Sequence, residues 1–252
     1  MSKMIDTENE ELIKLFEEIQ YCENIKKYYS GEVTNCDEII NSQGEKEEDF
    51  QLPEPWNGDI VNAPILIISS NPSFNEKELY PTIKWKEEDR KDFYFNRFQS
   101  RWTKEEKYIK LRDGKYDKNW VRFWSSVKSR AKEIWTKGNI SLGKDIALIE
   151  VVRCKSKEEK GVEKAISNCS RKFLDKTFSL SNSKVIICTG KRAETMIKEF
   201  YNLENKPYLE NIIIGKRKRD LLFIPHPNAR GQKKLSFLFL DSEIEKIKLK
   251  LK

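Results

Sequence analysis

The sequence predicts an α/β fold in which a central, mainly parallel β-sheet is flanked by helices and preceded by an N-terminal helical appendage. Short apolar runs, of the length of strands, alternate along the chain with longer segments that carry apolar residues at helical spacing. Three of these runs end in loops rich in Asn, Gly, Ser and His. In sheets of this kind the ligand binds at the carboxyl ends of the strands, so these loops are the expected functional region.

The appendage is predicted over residues 1–60. Residues 7–29 carry apolar side chains at helical spacing after a threonine, which favours a helix. The polar segment that follows contains Pro53, Pro55 and Gly58 and is typical of irregular structure. We therefore place the start of the main α/β domain near residue 60, so that this domain spans residues 61–252.

The main domain begins with an apolar run at 65–68, which predicts a buried parallel strand. Residues 75–120 are charged and aromatic, and we expect only pieces of helix there. The pattern then predicts a helix at 120–135, a strand at 145–154, a helix at 158–180, a strand at 184–190, a helix at 191–201, short strands near 211–214 and 221–225, and a C-terminal helix within 234–252.

The formal net charge of +7 is divided unevenly along the chain. Residues 1–60 contain 5 Lys and Arg against 16 Asp and Glu, a net of −11, whereas residues 61–252 contain 43 against 25, a net of +18. A basic body of this size favours a polyanion as partner, because phosphate contacts release counterions. The alternative is that the base composition of the gene produces the many lysines, and charge alone leaves both interpretations open.

The composition also bears on the cellular compartment in which we expect the protein. No apolar run reaches the roughly 18 residues of a membrane helix, and the N-terminus lacks the apolar core of a signal peptide. The five cysteines are an odd number at irregular spacing, which argues against a disulfide framework. We expect a cytoplasmic monomer that does not bind membranes.

Two short loops carry side chains suited to chemistry. The sequence NPS at 71–73 ends the first predicted strand of the main domain, and HPNAR at 226–230 ends the last and contains the sole histidine. A lone histidine is usually structural, and a loop bracketed by prolines is often only a rigid turn. Each loop is ambiguous alone, but the two loops and the segment between them occur in a recognisable order.

Taken together, residues 64–231 resemble the uracil-DNA glycosylase superfamily. PILIISSNPS resembles its first motif, in the version with Asn, and HPNARG resembles the second motif in the form of the single-strand-selective branch. The middle of the chain is similar to the thermophile-type branch, in which a strand ends in NVVKCRP and a second cysteine follows. The resemblance implies an α/β/α fold and a DNA partner. It also implies hydrolysis of the N-glycosidic bond of a flipped nucleotide, which leaves an abasic site.

The resemblance also implies roles for individual residues. Asn71 would hold the attacking water beneath C1′, and His226 would donate a hydrogen bond to O2 of the departing base. Arg230 would fill the gap that the flipped nucleotide leaves. Further contacts to DNA are expected from Asn228, Arg153, Lys191 and Arg192; the last two lie in the turn TGKR, which either holds a phosphate or is an ordinary strand-to-helix turn.

Two departures from the family concern the target base. The family strand carries an Asn that pairs with uracil, and Glu150 stands in its place. An ionised carboxylate only accepts, which suits the N4 amine of cytosine and repels O4 of uracil, and a protonated one could also donate to cytosine N3. Ser73, where classical uracil enzymes have Tyr, leaves room beside C5.

These departures predict a 5-modified cytosine as substrate, such as hydroxymethylcytosine or its glucosylated form, which occur in phage DNA, and hence a role in anti-phage defence. In the alternative, Glu150 turns away to pair with Arg153 or a lysine, and the substrate is uracil in DNA repair. A catalytically silent DNA-binding relative and an enzyme of free nucleotides are further alternatives.

Base stacking has three candidates, Phe74, Tyr80 and Trp85, each of which suits the core equally well. The aromatic and basic stretch 93–124 is likewise either a DNA-facing insertion or part of the core.

The cysteines leave the cofactor open. Cys154 and Cys169 resemble two iron–sulfur ligands of the thermophile-type branch, and Cys22 and Cys36 are candidates for the other two, although that branch has a closer pair there. The default expectation is no metal and no cofactor, and a 4Fe–4S cluster on these four residues is the alternative.

Overall fold

A computed structural model describes residues 10–252 and contains a five-stranded sheet. Its strands are β1 (Ile65–Ser69), β4 (Ile146–Glu150), β5 (Val185–Thr189), β6 (Tyr208–Ile214) and β7 (Arg217–Ile224), in the spatial order β4-β1-β5-β7-β6. All neighbouring strands are parallel except β6, which pairs antiparallel with β7. The predicted central, mainly parallel sheet is therefore confirmed. A separate short hairpin consists of β2 (Thr103–Lys104) and β3 (Tyr108–Ile109).

The helices of the described chain are α1 (Glu10–Gln20), α2 (Glu23–Tyr29), α3 (Asp37–Asn41), α4 (Glu87–Phe95), α5 (Arg122–Ile134), α6 (Val162–Leu180), α7 (Lys191–Phe200), α8 (Leu235–Leu238) and α9 (Asp241–Leu251), with 3₁₀ turns at Glu47–Asp49 and Lys157–Glu159. Within residues 10–252, no helix has the length and apolarity needed to cross a membrane.

Two hydrophobic layers cover the two faces of the sheet. Alternate residues of β1 point to opposite sides, so that Leu66 and Ile68 join one layer while Ile65 and Ile67 join the other. The first layer includes apolar residues of α1, α6 and α7, and the second includes those of α5 and α9. Because both faces are covered, β1, β4 and β5 are buried along their whole length, which explains why each is apolar up to its last residue, which is polar.

The N-terminal helices belong to the first of these layers. Leu12, Phe16 and Ile19 of α1 are at most 1% exposed, and the ring of Phe16 lies 5.9 Å from those of Trp56 and Tyr94. The boundary that we placed near residue 60 is therefore not a break in packing, because the apolar face of α1 completes the layer over α6. The helix predicted over 7–29 is divided at Cys22 into α1 and α2, and its residues 7–9 lie outside the described chain.

Most aromatic rings of the stretch 93–124 belong to the core. Phe93, Tyr94, Phe95, Phe98, Trp102 and Trp124 are all buried. Trp120, in contrast, is 54% exposed. The charged side chains of the stretch, rather than its rings, supply most of its surface.

Candidate active site

The site residues meet at the carboxyl edge of the sheet. Asn71 lies two residues beyond β1, Glu150 is the last residue of β4, and His226 lies two residues beyond β7. Parallel pairing brings these strand ends to the same edge, where Ser69 of β1 is in register with Glu150. Gly190, directly after β5, donates its backbone N–H to the carbonyl of Ile224 at 2.9 Å.

The amide of Asn71 has a defined orientation. Its Nδ2 donates to Oγ of Ser156 at 2.9 Å and to the carbonyl of Pro72 at 3.0 Å. Both N–H groups are therefore engaged, and Oδ1, which receives a 3.3 Å hydrogen bond from Ser70 Oγ, keeps a second lone pair for a water molecule. This is the orientation that a water-holding role requires.

Ser156 is a site residue that the sequence did not reveal. Its N–H donates to the carbonyl of Pro72 at 3.2 Å, and its carbonyl accepts from the N–H of Phe74 at 3.0 Å. These two bonds form a parallel bridge between Ser73 and Ser156, so the loop after β4 is bound directly to the loop after β1. No sequence motif marks Ser156, because only the pairing of β1 with β4 brings it to Asn71.

The backbone around His226 sets the state of its imidazole. Nδ1 accepts the N–H of Asn228 at 3.2 Å, so the neutral ring carries its proton on Nε2. Burial lowers the pKa of His226, and Lys233 adds to this effect while Glu159 opposes it. Gly190 packs beneath the ring: a Cβ at this position would lie 3.2 Å from Cβ of His226, and the backbone has a φ of +88°. His226 is therefore a neutral Nε2–H donor at pH 7.

Glu150 is buried at the end of β4. It is 7% exposed, and within the described chain its Oε2 has no hydrogen-bond partner. Burial, followed by the charge of Glu54, raises the pKa of Glu150 well above its usual value; a hydrogen bond from Ser69 and the charge of Arg153 oppose this. Burial therefore favours the neutral carboxyl group, which offers one donor and one acceptor.

The chain just before β1 brings Glu54 close to Glu150. Asn57 exchanges backbone hydrogen bonds of 2.8 and 3.0 Å with Leu148, and Glu54 donates its N–H to the carbonyl of Arg153 at 2.8 Å. This segment covers the open edge of β4, so Glu54 enters the protein beside the end of that strand. No sequence motif marks this second carboxylate.

Arg153 does not fit its expected role in DNA binding. It is 1% exposed, and its guanidinium donates to the carbonyl of Pro55 and to Oγ1 of Thr177, both at 2.8 Å. A side chain enclosed in this way does not reach a DNA phosphate, so this prediction is wrong. The same contacts direct Arg153 to other partners than Glu150, the pairing considered from the sequence.

The other expected DNA contacts lie at the surface. Asn228 and Arg230 are exposed in the loop after β7, and Lys191 is exposed at the start of α7. Arg192 is half-buried, and it forms ion pairs with Glu159 at 2.7 Å and with Glu163 at 3.3 Å. Arg192 is thus held by the two acidic side chains, whereas Lys191 projects beside it.

Of the three stacking candidates, two pack in the core. Tyr80 is 3% exposed and donates its hydroxyl to Glu54 at 2.9 Å. Trp85 is half-buried, with its ring 5.6 Å from that of Trp102. Phe74 lies three residues after Asn71, and its backbone N–H donates to the carbonyl of Ser156, the residue that also binds the Asn71 amide. Phe74 therefore remains the candidate for base stacking.

A buried ionic cluster supports the Ser156 loop. Lys155 and Arg97 both form ion pairs with Glu78, and all three side chains are at most 5% exposed. Burial opposes ionisation of Glu78, but the two cations outweigh it and hold the pKa of this carboxyl below its usual value. Because Lys155 precedes Ser156 in the chain, the cluster anchors the backbone that positions Asn71.

Four cysteines line one internal cavity, and Arg153 also contributes to its wall. They are Cys22, Cys36, Cys154 and Cys169, and all are free thiols. In the described chain no three His, Cys, Asp or Glu side chains converge closely enough to bind a single metal ion. The thiols instead surround a space, as the ligands of a multi-iron cluster do, since each thiolate then binds a different iron.

Three of these sulfurs have nitrogen neighbours. The N–H of Arg153 donates to Sγ of Cys169 and Nδ2 of Asn24 to that of Cys36, both at 3.3 Å, and Nζ of Lys172 lies 3.9 Å from Sγ of Cys22. Donors of this kind stabilise thiolates and orient metal ligands. Burial acts in the other direction and raises the pKa of the Cys154 and Cys169 thiols, and an iron–sulfur cluster stays the alternative that the sequence left open.

An α/β/α domain that presents an asparagine amide and a histidine at the carboxyl ends of two strands of one sheet, here β1 and β7 on either side of β5, has the features of enzymes that cleave N-glycosidic bonds. The family model of the Uracil DNA glycosylase superfamily matches residues 55–248, and the chain belongs to this superfamily. Membership suggests DNA glycosylase activity with DNA as the partner. No curated protein is significantly similar to the chain.

Proposed function

We propose that this protein is a monofunctional DNA glycosylase whose target is a 5-modified cytosine, hydroxymethylcytosine or its glucosylated form, and that it acts on phage DNA. The observation that carries the choice of base is Glu150: a buried carboxyl group with a free oxygen, in register with Ser69 two residues before Asn71. The DNA glycosylase part of the proposal is supported by the family.

Bond cleavage uses the loops after β1 and β7. Asn71 Oδ1 accepts a hydrogen bond from the attacking water, whose oxygen bonds to C1′ as the bond from C1′ to the base breaks. The bonding electrons leave with the base, and the water proton passes to solvent, because an amide is not a base. His226 donates from Nε2 to O2 of the base, where negative charge develops.

Glu150 recognises the cytosine face of the base. In either protonation state one carboxyl oxygen accepts from the N4 amine, and in the neutral state favoured by burial the group also donates to N3. The neutral form can also pair with O4 and N3–H of uracil, so rejection of uracil depends on the ionised form, which repels O4. Ser73 is small and exposed, which leaves space for a substituent at C5.

The remaining parts of the proposal concern DNA and the product. The exposed residues Arg230, Asn228 and Lys191 contact DNA, within a region of net charge +18. Lys155, the lysine beside Ser156, is buried and paired with Glu78, so its amine is not free to form a Schiff base. We expect the product to be an abasic site in an uncut strand.

We also propose that Cys22, Cys36, Cys154 and Cys169 hold a 4Fe–4S cluster. Such a cluster, when bound, supplies a cross-link between distant segments of the chain. Cys22 and Cys36 lie at the starts of α2 and α3, whereas Cys154 follows β4 and Cys169 lies in α6. The cluster would fasten the N-terminal helices to the loop that contains Arg153 and Ser156.

The substrate is tested by excision from matched oligonucleotides that carry uracil, cytosine, hydroxymethylcytosine or glucosylated hydroxymethylcytosine at one position. Alkali then reveals abasic sites. We expect cleavage of the modified cytosines, and no activity in Asn71→Ala although this variant still binds DNA. Excision of uracil alone would refute the proposed substrate, and binding without excision of any base would identify a silent relative.

The cluster is tested on protein purified without oxygen. We expect broad absorbance near 400 nm and about four irons and four sulfides per chain. Cys154→Ala should lose both signals, whereas Cys188→Ala, a buried cysteine in β5 away from the cavity, should keep them. Colourless protein without iron under these conditions would contradict the proposal.

A further inference from the structure

We propose that Phe123 is a positioning residue for His226. The two rings are stacked, with centroids 5.8 Å apart and planes 27° from parallel. Only the catalytic importance of this contact rests on the proposed function. The effect on the imidazole itself, which we describe below, can be measured in a protein with no activity.

Phe123 is carried by a rigid element. It is the second residue of α5, and its neighbour Trp124 is buried, with its ring 5.2 Å from that of Phe98. Val127, one turn further, is fully buried against the sheet. The position of the Phe123 ring is therefore fixed by the core, whereas His226 lies in a loop whose following residues are exposed.

The other contacts of His226 come from its own loop and from Gly190. The N–H of Asn228 binds Nδ1, and the backbone of Gly190 packs against Cβ and Cδ2. Within residues 10–252, Phe123 is the aromatic ring that stacks on the imidazole. An apolar ring there excludes water, limits rotation of the imidazole and disfavours its charged form.

Two charged groups act on His226 from neighbouring elements. Glu159, in the 3₁₀ turn before α6, favours the imidazolium, and Lys233, in the loop after β7, disfavours it. The effects of these two charges on the pKa of His226 oppose each other. Burial, to which Phe123 contributes, therefore determines that the pKa is lowered. Protonation of Nδ1 would also place two donors opposite each other at Asn228.

The sole histidine gives a direct measurement, because its NMR signals need no assignment within a set. We expect the imidazole C–H signals of the unaltered protein to be shifted upfield by the Phe123 ring, and Phe123→Ala to remove this shift and raise the pKa of His226 towards 6.5. Phe123→Tyr should retain both properties. Excision by Phe123→Ala should fall about 10-fold to 100-fold, with its acid limb moved to higher pH.

Phe200→Ala is the matched control, since Phe200 is also half-buried but lies at the far end of α7. It should leave the His226 signals, their titration and excision unchanged. Unchanged His226 signals and titration in Phe123→Ala, in protein with an unaltered near-ultraviolet circular dichroism spectrum, would overturn the inference. Altered signals in a protein that excises no base would instead refute the proposed function and leave the positioning contact established.

Discussion

The two halves of the candidate site are held in different ways. The Asn71 half is fixed by hydrogen bonds to Ser156 and by the buried Glu78 cluster behind it. The His226 half lies on a loop that becomes exposed from Asn228 onward, and its hydrogen bonds are formed within the loop, by Asn228 and Ala229 to His226 and by Lys233 to Pro227; the ring of Phe123 adds one contact from outside. Under the proposed mechanism, the residue that holds the water is supported by the core, whereas the residue that meets the base lies on a loop with fewer contacts to the rest of the protein.

The largest expected effect is the loss of excision activity when His226 is replaced. His226→Ala should lower excision by about 100-fold to 1,000-fold, the usual loss when one oxyanion donor is removed. Its melting temperature should stay unchanged, because the side chain is half-buried and has few partners. Single-turnover excision and calorimetry measure the two quantities, and a large loss of stability would contradict the difference between the halves.

Removing the Glu78 charge, which supports the Asn71 half, should in contrast cause a large loss of stability. Glu78→Gln leaves Lys155 and Arg97 buried without a counter-charge, which costs about 3 kcal/mol of unfolding free energy. Denaturant unfolding measures this loss. Asp89→Asn, which removes an exposed ion pair with Arg101, is the control and should leave the unfolding midpoint unchanged. Equal stability of the two variants would show that the cluster is not a support.

The pH dependence of stability sharpens the comparison at Glu150. Since the pKa of Glu150 is raised in the folded protein, the folded state keeps a proton that the unfolded state releases above about pH 4.5. Stability is therefore lost as pH rises from the unfolded pKa to the folded one. Glu150→Gln cannot ionise, so its melting temperature should exceed that of the unaltered protein by a margin that widens from pH 5 to pH 8. A constant margin would contradict a neutral Glu150.

The smallest effect is expected at Ser156. Ser156→Ala removes one acceptor of the Asn71 amide, equivalent to about 1 kcal/mol, and should lower excision roughly 5-fold to 10-fold. DNA affinity should not change. Ser167→Ala, at an exposed position of α6, serves as the control. If Ser156→Ala is as active as this control, the amide of Asn71 is positioned by other contacts.

The sequence was most informative where one local pattern determines the structure. The strands around Ile67, Ile149 and Ile187 were recognisable because both faces are buried, which requires uninterrupted apolar residues. The loops with Asn71 and His226 were recognisable because parallel strands bring their carboxyl ends together.

The sequence was least informative where distant segments meet. A charged residue such as Arg153 is normally exposed, and its burial depends on acceptors at Pro55 and Thr177, far away in the chain. The contacts of Ser156 with Asn71 and of Phe123 with His226 likewise arise only from the tertiary fold. The same holds for the N-terminal helices, whose place in the core depends on the surface that α6 offers.

The packing of α1 has a consequence for the order of events on the ribosome. α1 precedes α6 in the chain and is therefore made before it, yet its apolar face packs over α6, which ends at Leu180. Until that helix has emerged, Leu12, Phe16 and Ile19 have no native surface to cover them. During translation the nascent chain therefore exposes the apolar face of α1, a surface of the kind that chaperones bind. α1 packs in its native position only after α6 has been synthesised.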